Sequence, residues 1–134
     1  MGAIGATVLL DTHVLLWWWS DPARLTDTVL ALLKDSRNRV LVSAASAWEV
    51  ATKYRIGKLP AGGRIVAEWE ERIATDGFLQ LAVSHAHALK AGSLEGAHRD
   101  PFDRMLAAQS LIEDVPVVSS DAALSTLGAA RVWD

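Results

Sequence analysis

Apolar runs of strand length alternate with helical stretches along this whole chain, and that alternation leaves few ways to fold it. ATVLL (6–10), VLV (40–42), FLQLAV (78–83), VPVVSS (115–120) and ARVW (130–133) are short, apolar and bounded by polar or turn residues. Helical patterns fill the gaps. THVLLWWWS follows Asp11 and closes at Asp21-Pro22. TDTVLALLKDSRN carries Val29, Leu30, Leu32 and Leu33 as a stripe, and SAASAWEVATKYRIGKL has Gly57 and Pro60 near its end. GRIVAEWEERIAT sets Ile65, Val66, Trp69 and Ile73 on one side of a single helix. SHAHALKAGSL, opened by a serine, and DPFDRMLAAQSLIED complete the set. Strand–helix alternation implies right-handed βαβ units and an α/β sandwich of three layers, a central, mainly parallel sheet flanked by helices. The 134 residues suffice for one core, so 1–134 reads as a single domain, with GAHR before Asp100 its most loop-like segment.

Composition narrows the class. Hydrophobic residues make up 51% and charged residues 22%, a globular balance. LLDTHVLLWWW is broken by Asp11 and His13, so no membrane span is expected. MGAIGA lacks a positive leader, so no signal peptide is expected and the reading is cytoplasmic. The absence of cysteine excludes disulfides, thiolate zinc sites and cysteine nucleophiles. Thirteen basic and sixteen acidic residues give a net charge of −3, less basic than most nucleic-acid binders. Acids that converge on a cation would neutralise part of that charge locally.

The positions of the acids point to chemistry. Ligands of an open parallel sheet bind beyond the carboxyl ends of its strands. Asp11 directly follows the first strand run and Asp121 follows the fourth. Asp100 and Asp103 open the helix between the third and fourth, and Glu49 lies six residues after Ser43 on the helix that follows the second. Clustered carboxylates repel unless a cation binds or some are protonated. Oxygen donors without thiolates favour a hard ion, Mg²⁺ or Mn²⁺. Two such ions about 3.5–4 Å apart can activate water and stabilise a leaving oxygen.

Each acid also has a structural reading. Asp11 suits a helix N-cap, Ser46 to Glu49 matches a capping box, and Asp121 suits a turn. The helix carrying Glu49 already runs from about Ser43, which weakens the capping-box reading. In HRDPFDRML, Asp100 fits the N-cap, Pro101 N1 and Asp103 N3, where the helix dipole favours carboxylates.

Taken in order, VLLDTHVLLWW, VSAASAWEVATKYRIGKL, RDPFDRMLAAQ and VVSSDAAL resemble the PIN-domain family, most closely its VapC-type toxins. The resemblance covers nearly the whole chain. It implies a PIN-like sandwich and a divalent-metal-dependent endoribonuclease acting on RNA. It also implies inhibition by a cognate antitoxin protein and a homodimer. By motif it assigns the catalytic and metal acids to Asp11, Glu49, Asp103 and Asp121. Ser119 stands where the family often has threonine. Asp100 is expected as a cap and secondary contributor at the pocket rim.

Other residues carry two readings each. Thr12 either steadies the site through its hydroxyl or helps start the helix. Arg99 and Arg104 contact a phosphate, pair with the acids, or are simply solvated. Lys53 forms an ion pair with Glu49 four residues back, or tracks RNA backbone with Arg55 and Lys58. His13, His85 and His87 have no motif that demands a role, and His98 is open. Trp17, Trp18 and Trp19 cannot all face one core, so at least one is expected at a surface. A dimer or antitoxin contact is preferred there over RNA base stacking.

The competing class is a non-catalytic PIN-like module that binds RNA or a partner. Four retained, mutually repulsive acids argue against it. A phosphoacceptor domain would need paired acids at the first strand and a lysine after a late one, and VPVVSSDAAL has none.

Overall fold

The computed structural model describes residues 5–134; the first part of MGAIGA lies outside them. Five strands form one all-parallel sheet in the order β3-β2-β1-β4-β5. In chain order the elements are β1 (Thr7–Leu10), α1 (Thr12–Ser20), α2 (Asp27–Lys34), β2 (Arg39–Ser43) and α3 (Ala44–Arg55). Then follow α4 (Gly63–Ala67), α5 (Trp69–Thr75), β3 (Leu79–Leu81), α6 (His85–Ser93) and α7 (Pro101–Glu113). β4 (Val117–Val118), α8 (Ala123–Thr126) and β5 (Arg131–Val132) close the fold. The expected α/β sandwich is the observed one.

Strand residues alternate between two cores. Val8, Leu10, Val40, Val42 and Val118 face one side, where Val14 and Leu15 of α1, Val29 and Leu33 of α2 and Ile73 of α5 cover them. Leu9 and Val117 face the other, under Leu106 and Ala107 of α7 and Leu124 of α8. A sheet buried on both faces explains why its central strands read as continuous apolar runs.

The ends of the elements follow local chemistry. Thr26 caps α2 by accepting the Val29 N–H, and Ser43 caps α3 by accepting the Ala45 N–H. Ser46 is therefore inside α3, and the Ser46–Glu49 capping box does not form. Gly57, at φ 81°, takes the left-handed turn that ends α3. Ser84 and His87 form a reciprocal capping box at the start of α6.

The stretch expected as one helix over 63–75 is two. It bends at Glu68, because α4 packs on α3 whereas α5 lies against β3. Glu68 spans the bend with ion pairs to Arg64 and Arg72. The four-residue α8 has no helix-length pattern of its own and is held by buried Leu124.

The tryptophan triplet is half-buried, and each indole has an aromatic neighbour within the fold. Trp17 packs edge-on against Trp133 at 6.0 Å and under the Arg24 guanidinium at 5.6 Å. Trp18 lies 6.0 Å from Phe78, and Trp19 lies 5.3 Å from Trp69. Both donate their indole N–H to one oxygen of Asp76, at 3.0 and 2.7 Å. Three neighbours escape the one-face limit because α1 is flanked by the chain's last residues on one side and by α5 on the other. The exposed indole is instead Trp48, at 60%.

Asp76 thus holds two tryptophans to the core. Asp76→Ala is expected to lower stability by about 1–3 kcal/mol through the stranded indole donors. Urea unfolding followed by tryptophan fluorescence measures this, and a loss below about 0.5 kcal/mol would contradict it.

Candidate active site

Parallel pairing brings the acids to one edge. Leu10 pairs with Val118, so the next residues, Asp11 and Ser119, leave the sheet side by side. The Asp11 N–H donates to the Val118 carbonyl at 3.0 Å, which fixes the backbone at this point. Leu9 pairs with Leu41, which sets Ser43 and the start of α3 on the same level.

Asp11 occupies the N-cap position of α1 but makes no capping hydrogen bond. Its carboxylate is 3% exposed and turns to Ser119, whose Oγ donates to it at 2.7 Å. Burial pushes the Asp11 carboxyl above its ordinary range; the Ser119 bond and His13 oppose this, and the charges of Glu49 and Asp121 add to it. Ser119 Oγ also accepts the Asp121 N–H at 2.9 Å, so one buried hydroxyl links two acids. Asp121 itself is exposed and caps the Ala123 N–H at 2.9 Å.

Glu49, 3% exposed, faces the site from α3 and pairs with Lys53 one turn on. Burial works against the charge on Lys53, but Glu49, Asp100 and Asp103 outweigh it and raise its pKa. Thr12 and Ser46, both buried, share a hydroxyl hydrogen bond of 2.8 Å that ties α1 to α3. That bond sets Asp11 relative to Glu49. Ser46 was hidden in the sequence by its resemblance to a cap; its spacing of three from Glu49, one helix face, was the available signal.

The two aspartates of HRDPFDRML divide as their helix positions imply. Asp100 Oδ1 accepts the N–H groups of Phe102 and Asp103, at 2.9 and 3.1 Å, and is spent as the cap. Asp103 instead meets His98 Nε2 at 2.8 Å. Burial raises the Asp103 pKa, with Asp100 and Asp11 adding to the rise and the His98 bond opposing it. His98 is thereby given a partner that the sequence left open.

Arg104 is engaged within the fold. Its guanidinium donates to the carbonyls of Ala91, Leu94 and His98, and so pins the GAHR loop to α7. Arg99 is exposed. A cavity of about 300 Å³ opens beside Glu49, with Thr12, His13, Lys53, Lys58 and Leu59 on its walls. His87 is far from idle: it is buried and bonds Glu113 at 2.9 Å, a structural role between α6 and α7.

Among the described residues, no three His, Asp or Glu side chains come close enough to hold one ion as they stand. Each carboxylate is turned to its own partner: Ser119 for Asp11, Lys53 for Glu49, His98 for Asp103. The donor set still fits a hard divalent ion, which needs only one or two carboxylates and keeps several waters. Buried Asp11, held in the field of two other acids, would be relieved by such a cation.

A raised folded-state pKa means that the folded chain binds the Asp11 proton more tightly than the unfolded chain does. Metal-free stability therefore falls as pH rises from the ordinary aspartate value through the raised one, and the deficit stays at neutral pH. In EDTA at pH 7, Asp11→Asn is expected to melt above the wild type, with the gap closing towards pH 4. Thermal melts across pH test this; a variant that melts lower at pH 7 would contradict it.

Known proteins bear directly on this arrangement. The Ribonuclease VapC16 of Mycobacterium tuberculosis is 46% identical over 57 residues, 42% of this chain and 40% of that protein. The match thus spans less than half of the relative's length. In fold, the chain resembles VapBC2 from Rickettsia felis bound to a promoter DNA fragment, with a TM-score of 0.71, 15% identity and coverage of 96% and 99% of the two chains. It also resembles FitAcB from Neisseria gonorrhoeae, with a TM-score of 0.65, 20% identity and coverage of 92% and 95%. The PIN domain family model matches residues 8–129, which include all four candidate acids, Ser119 and the sheet from Val8 in β1 through β4. This chain belongs to the PIN-domain family.

Proposed function

We propose that this chain is a divalent-metal-dependent endoribonuclease, the toxin of a toxin–antitoxin pair, that hydrolyses RNA phosphodiester bonds. The observation that carries this reading is Asp11: a buried carboxylate in an N-cap position that forgoes capping and stands among other acids. A structural aspartate there would cap the helix, as Asp100 does in α7. The partial likeness to a ribonuclease supports the activity.

Asp11, Glu49, Asp103 and Asp121 are the residues that would hold Mg²⁺ or Mn²⁺. An ion held there would supply Lewis acidity that activates water and offsets charge on the phosphate. The chain's own part is positioning. Ser119 orients Asp11, the Thr12–Ser46 bond holds α1 to α3, and Arg104 fixes the loop that presents His98 to Asp103. Lys53 and Lys58, on the wall of the cavity beside Glu49, offer ammonium groups to RNA phosphates, and exposed Arg99 adds a guanidinium at the rim. The expected products carry a 5′-phosphate and a 3′-hydroxyl.

The proposed partners are a cognate antitoxin and a second copy of the chain. The antitoxin reading is supported by likeness to VapBC assemblies, which extends to VapBC-1 of nontypeable Haemophilus influenzae at a TM-score of 0.65. None of the described helices is long and apolar enough to cross a membrane, which agrees with the proposed cytoplasmic site of action.

Asp11→Asn is expected to abolish cleavage of an RNA panel while its circular dichroism stays native, and EDTA to abolish wild-type cleavage. Ser119→Ala, which removes only the orienting hydroxyl, is expected to lose roughly 10–100-fold. Cleavage that survives EDTA, or equal cleavage by Asp11→Asn, would contradict this reading, and a wild type that cleaves none of the panel would leave the non-catalytic binding module as the better one. Asp100→Asn should cost less than Asp103→Asn, because asparagine caps a helix as well as aspartate does. The reverse order would overturn the assignment of Asp103.

A further inference from the structure

We propose that Lys53 is the resident counter-cation of the acidic site, one that must leave Glu49 when a divalent ion binds and then serves an RNA phosphate. The inference rests on the reading of the acids as a metal site. An ordinary ion pair one helix turn apart lies on a solvated face and contributes little. This one differs, because the Glu49 side chain is 4% exposed and that of Lys53 33%. A carboxylate this deeply buried needs a hydrogen-bonded partner, and Lys53 Nζ supplies it.

The pair lies beside further acids. The helix that carries Glu49 and Lys53, α3, packs against α7, whose start carries Asp100 and Asp103. Lys53 therefore sits in the region in which a metal ion would be held. Cations within about 4 Å of each other repel strongly in a partly buried site. A divalent ion on Glu49 and an ammonium on the same carboxylate oppose each other, so ion binding and the Lys53–Glu49 pair compete.

The displaced side chain has somewhere to go. The cavity beside Glu49 has Lys53 on one wall and Thr12, His13 and Lys58 nearby. Lysine carries its charge on a flexible stem, so Nζ can move while α3 stays in place. Beside Lys58 it would form a pair of ammonium groups facing the incoming backbone. Lys53 thus changes partner from carboxylate to phosphate.

The test is isothermal titration of Mn²⁺ into metal-stripped wild type, Lys53→Gln and Lys53→Arg, with KM for mixed-sequence single-stranded RNA at saturating Mn²⁺. Lys53→Gln is expected to bind Mn²⁺ roughly tenfold more tightly, since a competing charge is gone. Its KM should rise severalfold, and Lys53→Arg should stay near wild-type Mn²⁺ affinity. A purely structural role would not move the two readouts in opposite directions. Mn²⁺ binding by Lys53→Gln that is unchanged or weaker overturns the proposal, as does tighter binding with an unchanged KM. Should Lys53→Gln fail to fold, the wild-type Lys53 side-chain ¹⁵N resonance decides. It is expected to shift on Mg²⁺ addition, and a resonance that does not move contradicts the exchange. A wild type that neither binds Mn²⁺ nor cleaves RNA defeats the nuclease reading itself, whereas a wild type that does both confines any failure to Lys53.

Discussion

The arrangement depends on one buried charge at the end of the central strand. β1 has β2 on one side and β4 on the other, so the residue that follows it emerges in the middle of the sheet edge. That residue is Asp11, nearly inaccessible to solvent and hydrogen-bonded to Ser119. Burying a carboxylate without a cation is costly, and other acids nearby raise the cost. The fold tolerates it because a parallel sheet buried on both faces is rigid enough to impose it. Two strands deliver Asp11 and Ser119 in register, and Thr12 with Ser46 locks the adjoining helices.

Around that charge the acids differ in what their side chains bond. Asp100 and Asp11 both occupy N-cap positions, yet only Asp100 caps. The difference is position in the fold. Asp100 begins a helix at the rim, where its carboxylate can fold back onto free N–H groups. Asp11 begins one directly at a strand end, where Ser119 is closer to hand. Asp103, Glu49 and Asp11 each have a hydrogen-bonding partner of their own. Lys53 and His98 are the members of this set able to carry positive charge.

Much of this was legible in the sequence because parallel sheets leave a strong pattern. The apolar runs at 6–10 and 40–42 and the helix from Ser43 could be read directly, and strand ends located Asp11 and Asp121. Interactions between distant residues were not legible. The sequence could not choose between a phosphate contact, an acid pair and a solvated side chain for Arg104, because its three carbonyl partners lie 6 to 13 residues away, at the end of α6 and in the loop after it. The internal anchoring of the tryptophan triplet was hidden because Asp76, which accepts the indole N–H groups of Trp18 and Trp19, is 58 and 57 residues away. The bend at Glu68 was invisible for a similar reason: it is set by what α4 and α5 pack against, not by their own periodicity. Ser46 was concealed by a local motif that fits the sequence but lies inside the helix.

The central claim is that these parted carboxylates form one metal site at the carboxyl edge of the sheet. Anomalous diffraction from a Mn²⁺-soaked crystal tests it most directly. The account predicts a peak bounded by Asp11, Glu49 and Asp103, with Glu49 no longer paired to Lys53. A peak elsewhere, or none at saturating Mn²⁺, would contradict it.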